Sequence, residues 1–88
     1  MDRQEIFAQI DCERAYQDKT WGSEFDNKNT VNDWIAYIVK YLGNAITAAG
    51  TRPRTNNIRD FRLAILKIAT LCVCILERED YAKRHYDE

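Results

Sequence analysis

The residues that could carry chemistry are few, and their spacing argues against several common kinds of site. His85 is the sole histidine and lies in a polar C-terminal stretch, so we expect it to be solvated and do not expect a histidine-based metal cluster. Cys72 and Cys74 lie two residues apart without a second pair, which is not a zinc-binding pattern. The sequence also contains no glycine-rich phosphate-binding loop. We therefore expect no metal site and no resident cofactor.

Lys67 is the most unusual charged residue, because it lies inside an apolar segment. Between Leu63 and Leu76 only Lys67 and Thr70 are polar. An unpaired charge in such a segment is costly, so the ammonium group either reaches water or an acid such as Glu13, or it lines an anion-binding pocket. The basic residues that could form an anion or nucleotide pocket are Lys40, Arg52, Arg54 and Lys67. Arg52 and Arg54 can equally be solvated residues of a loop.

Four aromatic residues could stack against a planar ring such as a nucleobase. Trp34 and Tyr41 are seven residues apart and therefore share one face of a helix. Aromatic side chains at helical spacing also pack into cores and subunit interfaces, so base stacking and interface packing both remain open. The four residues are Trp21, Trp34, Tyr37 and Tyr41.

Three segments with helical periodicity must position these residues, and no segment alternates as a strand would. The sequence predicts an all-α fold, a three-helix antiparallel bundle. We expect a single domain over 1–88, with helices at about 3–18, 31–49 and 58–80 and a polar tail at 78–88.

Capping residues and glycines set the expected helix limits. Asp2, Thr30 and Asn57 are suitable N-caps. Gly22 can adopt a positive φ and is expected to form a break after the first helix, before a polar loop. Gly43 lies within the second helix, where it costs about 1 kcal/mol relative to alanine. We expect another helix to approach Gly43 closely.

The chain is short for its apolar content, which favours oligomerisation. It has 88 residues, of which 45% are hydrophobic, and a domain of this size buries only about 60–65% of its unfolded surface. We expect a homo-oligomer, a dimer or a tetramer, with the third helix at its centre. The residues expected to form the oligomer core are Leu66, Ile68, Leu71, Val73 and Ile75.

Charge and cysteine content restrict the compartment and the partners. With 13 basic and 14 acidic residues the net charge is −1, so we expect neither nucleic acid nor a membrane as a partner. The apolar stretch of the third helix is shorter than the ~20 residues that span a bilayer, and the N-terminus resembles no leader sequence. Three cysteines, expected to pack as small apolar residues, favour a reducing, cytoplasmic location.

Three segments carry a resemblance to a known family. They are ERAYQDKTWG at 13–22, WIAYIVKYLGNA at 34–45 and FRLAILKIATLCVCILE at 61–77. Their order resembles the MazG-like all-α nucleoside triphosphate pyrophosphohydrolases, particularly small members from phages and mobile gene cassettes such as those of integrons. The resemblance implies a helical scaffold and an Mg²⁺ site built from acidic pairs on the second and third helices.

The acidic pairs of the family are missing from this sequence. Alignment on Leu42-Gly43 and on the stretch ending at Glu77 places other residues at the four acidic positions, namely Tyr41, Asn44, Ala64 and Lys67. Since Mg²⁺ requires oxygen ligands, we expect a non-catalytic protein that acts by binding a protein or a nucleotide. The alternative is an Mg²⁺-dependent pyrophosphohydrolase with displaced ligands, for which Glu13 and Asp18 are the nearest candidates.

Overall fold

The described part of the chain consists of three α-helices. The structure is a computed structural model that describes residues 1–50, 57–78 and 81, except for the side chains of 23–27. The helices are α1 (Arg3–Lys28), α2 (Val31–Ala49) and α3 (Ile58–Leu76), and the described residues include no strand. The predicted all-α class is therefore confirmed for this part of the chain. None of the helices described is both long enough and apolar enough to span a membrane.

Each helix begins at its predicted capping residue. The carboxylate of Asp2 accepts a hydrogen bond from the backbone N–H three residues on, at 2.9 Å. Thr30 and Asp33 form a reciprocal capping box, with N–O distances of 2.8 and 3.3 Å. Asn57 accepts a hydrogen bond from the backbone N–H of Asp60 at 3.0 Å. These side chains satisfy backbone donors that the first turn leaves unpaired.

The expected end of the first helix at residue 18 is wrong, although the expected break at Gly22 is present. Gly22 has φ 75° and ψ 170°, which interrupts the helical geometry, but α1 continues beyond it to Lys28. A Cβ atom at Gly22 would meet nothing within 4 Å, so its φ angle rather than its surroundings favours glycine. The polar residues that follow were expected to form a loop, but polar residues disfavour a helix only weakly and no proline stops it.

Two further expectations are corrected at Gly43 and at the end of α3. A Cβ atom at Gly43 would also meet nothing within 4 Å, so none of the other helices described lies against this position. The third helix was expected to reach residue 80 but ends at Leu76, with Glu77 as its cap. Helices in proteins are stabilised mainly by packing of an apolar face, and the apolar sequence ends at Leu76. Residues 79 and 80 lie outside the described part.

Helix α3 is central to the packing of the single chain. Among the described residues, α1 and α2 each pack on α3, whereas their backbones do not pack on each other. Gln9 and Arg62 meet at 2.8 Å, and Arg14 meets Glu77 at 3.2 Å, so α1 and α3 run in the same direction. Helix α2 runs antiparallel to both, and an open groove remains between α1 and α2 with α3 at its base.

The core of the single chain is small. Trp34, Leu71 and Cys74 form its main buried cluster, and Ala45 and Ala64 are also buried. The hydroxyl of Thr70, the other polar residue of the apolar segment, is fully buried and donates a hydrogen bond to the Leu66 carbonyl at 2.7 Å. Many large apolar side chains on α2 and α3 remain exposed.

Candidate functional site

One cavity, which we call the central cavity, brings together the four positions at which the resemblance implies acids. The cavity has a volume of about 380 Å³ and lies between α2 and α3. Tyr41 and Asn44 line it from α2, and Ala64 and Lys67 line it from α3. Asp60, one turn before Ala64, is the acidic residue on its wall. The cavity therefore presents a phenol, an amide, a methyl group, an ammonium and a single carboxylate.

The Lys67 ammonium is already paired. It donates a hydrogen bond to Glu13 Oε1 on α1, and both side chains are largely buried, with 25% and 17% of their surfaces exposed. The ring centroid of Tyr16 lies 5.7 Å from Lys67 Nζ, within the range of a cation–π contact. The sequence-based suggestion that Lys67 pairs with Glu13 is thus confirmed. The pair places a neutralised charge, rather than a free cation, beside the central cavity.

The other acid considered as a metal ligand is also paired with a cation. Asp18 lies 2.8 Å from Arg14, whose guanidinium also reaches Glu77 at 3.2 Å. Burial of this guanidinium lowers its pKa, whereas interaction with Cys74 and hydrogen bonds to Asp18 and Glu77 raise it, and the net pKa lies above its ordinary value. Arg14 therefore stays charged at any working pH and holds both carboxylates.

A second, aromatic cavity lies next to the central one, on the other side of Tyr41. Its volume is about 250 Å³, and half of the residues that line it are aromatic. Trp34 and Tyr37 meet edge to face, with ring centroids 6.4 Å apart. Lys40 Nζ lies 5.8 Å from the ring centroid of Tyr41. The residues that line this aromatic cavity include Gln17, Trp21, Trp34, Tyr37, Lys40 and Tyr41.

The two tryptophans of the aromatic cavity differ in exposure. Trp34 is 3% exposed, and its indole N–H is buried without a hydrogen-bond acceptor among the described residues. Trp21 is 57% exposed and comes from α1, immediately before the break at Gly22. Buried indole N–H groups usually have a partner, so the Trp34 N–H is, among the described residues, an unsatisfied donor in the core, whereas Trp21 is the accessible tryptophan of this cavity.

The structure brings together some of the predicted site residues and separates others. All four aromatic residues predicted for stacking line the aromatic cavity. Lys40 lines the same cavity, whereas Lys67 lines the central one. Arg52, Arg54 and His85 lie outside the described residues. Sequence reasoning missed Asp60 and Gln17 as lining residues; Asp60 lies seven residues before Lys67, a helical spacing that could have indicated a shared face.

The residues predicted as an oligomer core are divided between surfaces. Leu71 is buried in the core of its own chain, and Leu66 lines a cavity against α1. Ile68, Val73 and Ile75 are half-buried. Of the three cysteines that were expected to pack as apolar residues, Cys74 is buried within its own chain, whereas Cys12 and Cys72 are exposed there.

No group of three or more histidine, cysteine or acidic residues among the described residues is placed to hold a metal ion. Compared with protein-family models, curated proteins and solved structures, the chain matches none of them.

Proposed function

We propose that this chain is a non-catalytic helical protein on a MazG-like scaffold, which acts by binding a protein rather than by hydrolysing a nucleotide. The observation that carries the proposal is the Lys67–Glu13 ion pair beside the central cavity. A lysine stands at a position where the family needs an acid, and the nearest carboxylate is used to neutralise it. The resemblance extends the proposal to a cytoplasmic protein of a phage or a mobile gene cassette.

Metal chemistry supports the absence of catalysis. Mg²⁺ prefers octahedral oxygen coordination with carboxylates, and in phosphoryl chemistry it neutralises charge that develops on the substrate. The aligned positions Tyr41, Asn44 and Ala64 supply no carboxylate, and Lys67 adds a positive charge. Asp60 remains, but a single acid beside a cation is a poor Mg²⁺ site.

The alternative, a pyrophosphohydrolase with displaced ligands, would need Glu13 or Asp18 for the metal. Glu13 is paired with Lys67, and Asp18 is paired with Arg14. A metal would therefore have to displace a cation from each carboxylate. The cost of leaving Lys67 largely buried without its partner weighs against this alternative.

The aromatic cavity favours nucleotide binding as a second candidate function. Trp21 and Tyr41 present aromatic surfaces to a cavity of about 250 Å³, and aromatic faces stack bases with about 1–3 kcal/mol each. Lys40 lines the same cavity and supplies a cation for a phosphate. A nucleoside monophosphate would stack its base on the aromatic surfaces and pair its phosphate with Lys40, without any metal.

Hydrolysis assays test the main proposal. The purified chain is incubated with Mg²⁺ and each common ribo- and deoxyribonucleoside triphosphate, and pyrophosphate release is followed. We expect release at the rate of the buffer blank for every nucleotide. Mg²⁺-dependent release that disappears in Glu13→Gln would overturn the proposal and assign Glu13 as a displaced ligand.

Fluorescence titration tests the second candidate. Nucleoside monophosphates are added to wild-type protein and to Lys40→Met, with Lys19→Met as the matched control because Lys19 is exposed and does not line the aromatic cavity. If the cavity binds nucleotides, tryptophan emission changes saturably and the affinity falls in Lys40→Met only. An unchanged emission at millimolar nucleotide would remove this candidate.

A further inference from the structure

Helix α2 carries a stripe of exposed apolar side chains that lies outside both cavities. Its residues follow spacings of four, four, three and four and therefore lie on one side of the helix. They are 47–66% exposed. The residues of the α2 stripe are Val31, Ile35, Val39, Leu42 and Ile46.

Helix α3 carries a similar stripe on the side turned away from its buried face. Its large apolar side chains are 37–77% exposed. Cys72, which lies between Ile65 and Leu76 in the sequence, is also exposed. The residues of the α3 stripe are Ile58, Phe61, Ile65, Cys72 and Leu76.

The two stripes lie side by side and form one surface, which we call the α2–α3 apolar face. Ile38 borders the α2 stripe, and Ile75 borders the α3 stripe; both pack against the same core cluster of Trp34, Leu71 and Cys74. Because α2 and α3 run antiparallel, the same rotation away from their shared core brings both stripes to the same side of the pair. Helix α1 contacts α3 through other residues, such as Arg62 and Lys67.

We infer that a second copy of this chain covers the α2–α3 apolar face. The inference rests on the proposed protein-binding function and names its partner. The nine large aliphatic and aromatic side chains of the face expose on the order of 900 Å² at their observed exposures, whereas the largest patch of a typical monomer is about 300–600 Å². A standard interface buries about 800 Å² on each partner. The face therefore has the size that a stable dimer requires.

The charge pattern also favours a second copy. None of the described residues in the two stripes carries a charge, so the face offers nothing to attract a charged partner or an anionic lipid surface. A two-fold axis through the face would stack the α2–α3 pairs of both copies on each other as a four-helix bundle, which buries each stripe against an equally apolar surface. It would also supply the apolar burial that the small core of one chain lacks.

Sedimentation equilibrium of wild-type protein, Ile35→Glu and Ala36→Glu tests the inference. Ile35 lies in the face, whereas the neighbouring Ala36 is exposed outside it, so the same charge enters the same helix at matched positions. We expect the wild-type protein and Ala36→Glu to form the same dimer. For Ile35→Glu we expect a dissociation constant at least about 100-fold higher, because a two-fold interface would bury the new carboxylate of each copy. A wild-type protein that stays monomeric would overturn the inference. Sedimentation of that monomer together with phospholipid vesicles would assign the face to a lipid surface instead.

Thiol reactivity keeps the test decisive if Ile35→Glu does not fold. Cys72 lies in the α2–α3 apolar face and Cys12 on α1, and both are exposed in the single chain. In the wild-type dimer, alkylation mapped by mass spectrometry should be slow at Cys72 and fast at Cys12. A dimer in which both thiols react equally fast would place the contact elsewhere. Neither result depends on pyrophosphate release, so failure of the inference and failure of the proposed lack of turnover are distinguishable.

Discussion

Lys67 on α3 donates a hydrogen bond to the carboxylate of Glu13 on α1, and this ion pair joins the first and third helices across the base of the groove. Both side chains are largely buried, so each charge depends on the other. The pair accounts for a lysine in the most apolar segment of the sequence. It also removes one of the two acids that a displaced metal site would need.

Breaking this pair should destabilise the protein more than breaking a surface pair. We expect a double-mutant cycle of Glu13→Gln and Lys67→Met to give a coupling energy of about 1–2 kcal/mol, between the values for exposed and fully buried pairs. The measurement is urea unfolding of the four proteins at one fixed protein concentration, followed by circular dichroism.

The Arg14–Asp18 pair on α1 provides the control for this cycle. It spans one helical turn, and the Asp18 side chain is 58% exposed, so a cycle of Arg14→Met and Asp18→Asn should give at most about 0.5 kcal/mol. Equal coupling energies for the two pairs would mean that burial of Lys67 and Glu13 does not strengthen their interaction.

The two helical glycines should respond in opposite directions to alanine. Gly43 has ordinary helical geometry, and the space that an alanine methyl group would occupy there is free, so Gly43→Ala should stabilise the protein by about 0.5–1 kcal/mol. Gly22 has φ 75°, so Gly22→Ala should destabilise it by about 1–2 kcal/mol. Thermal and urea unfolding measure both changes. A destabilising Gly43→Ala would indicate that a partner chain approaches this position.

The two tryptophans should be separable by fluorescence. Trp21→Phe leaves the buried Trp34, whose emission should be blue-shifted and weakly quenched by acrylamide. Trp34→Phe leaves the exposed Trp21, whose emission should be red-shifted and strongly quenched. This substitution removes an N–H without an acceptor among the described residues, so it should lose packing but no hydrogen bond. Similar quenching of both variants would contradict the burial of Trp34.

Local sequence signals predicted the helices well. Thr30 caps α2 as expected, and α2 ends at the expected residue before Gly50, because capping side chains and a positive-φ glycine act within a few residues of the helix ends. The polar residues after Gly22 were misjudged, since composition alone does not reveal whether backbone hydrogen bonds resume beyond a break. The end of α3 was placed too late for a similar reason, because packing rather than propensity decides where a helix stops.

The site was only partly predictable, because it depends on contacts between helices. Helical spacing placed Trp34 and Tyr41 on one face, and the charge of Lys67 in an apolar segment indicated a partner such as Glu13. The division of Lys40 and Lys67 between two cavities could not be predicted from spacing, because it depends on how the three helices are placed relative to one another. The same holds for Leu71, which packs in the core of its own chain while Ile65 is exposed.

The most direct test of the account is a titration of the purified chain with Mn²⁺, followed by electron paramagnetic resonance. Mn²⁺ substitutes for Mg²⁺ and, unlike Mg²⁺, gives a signal. Pyrophosphate release from nucleoside triphosphates is measured in the same samples. We predict no saturable binding at millimolar Mn²⁺ and no release above the blank, because Glu13 neutralises Lys67 and Asp18 neutralises Arg14. Saturable binding of one ion per chain, with turnover, both lost in Glu13→Gln, would contradict the account.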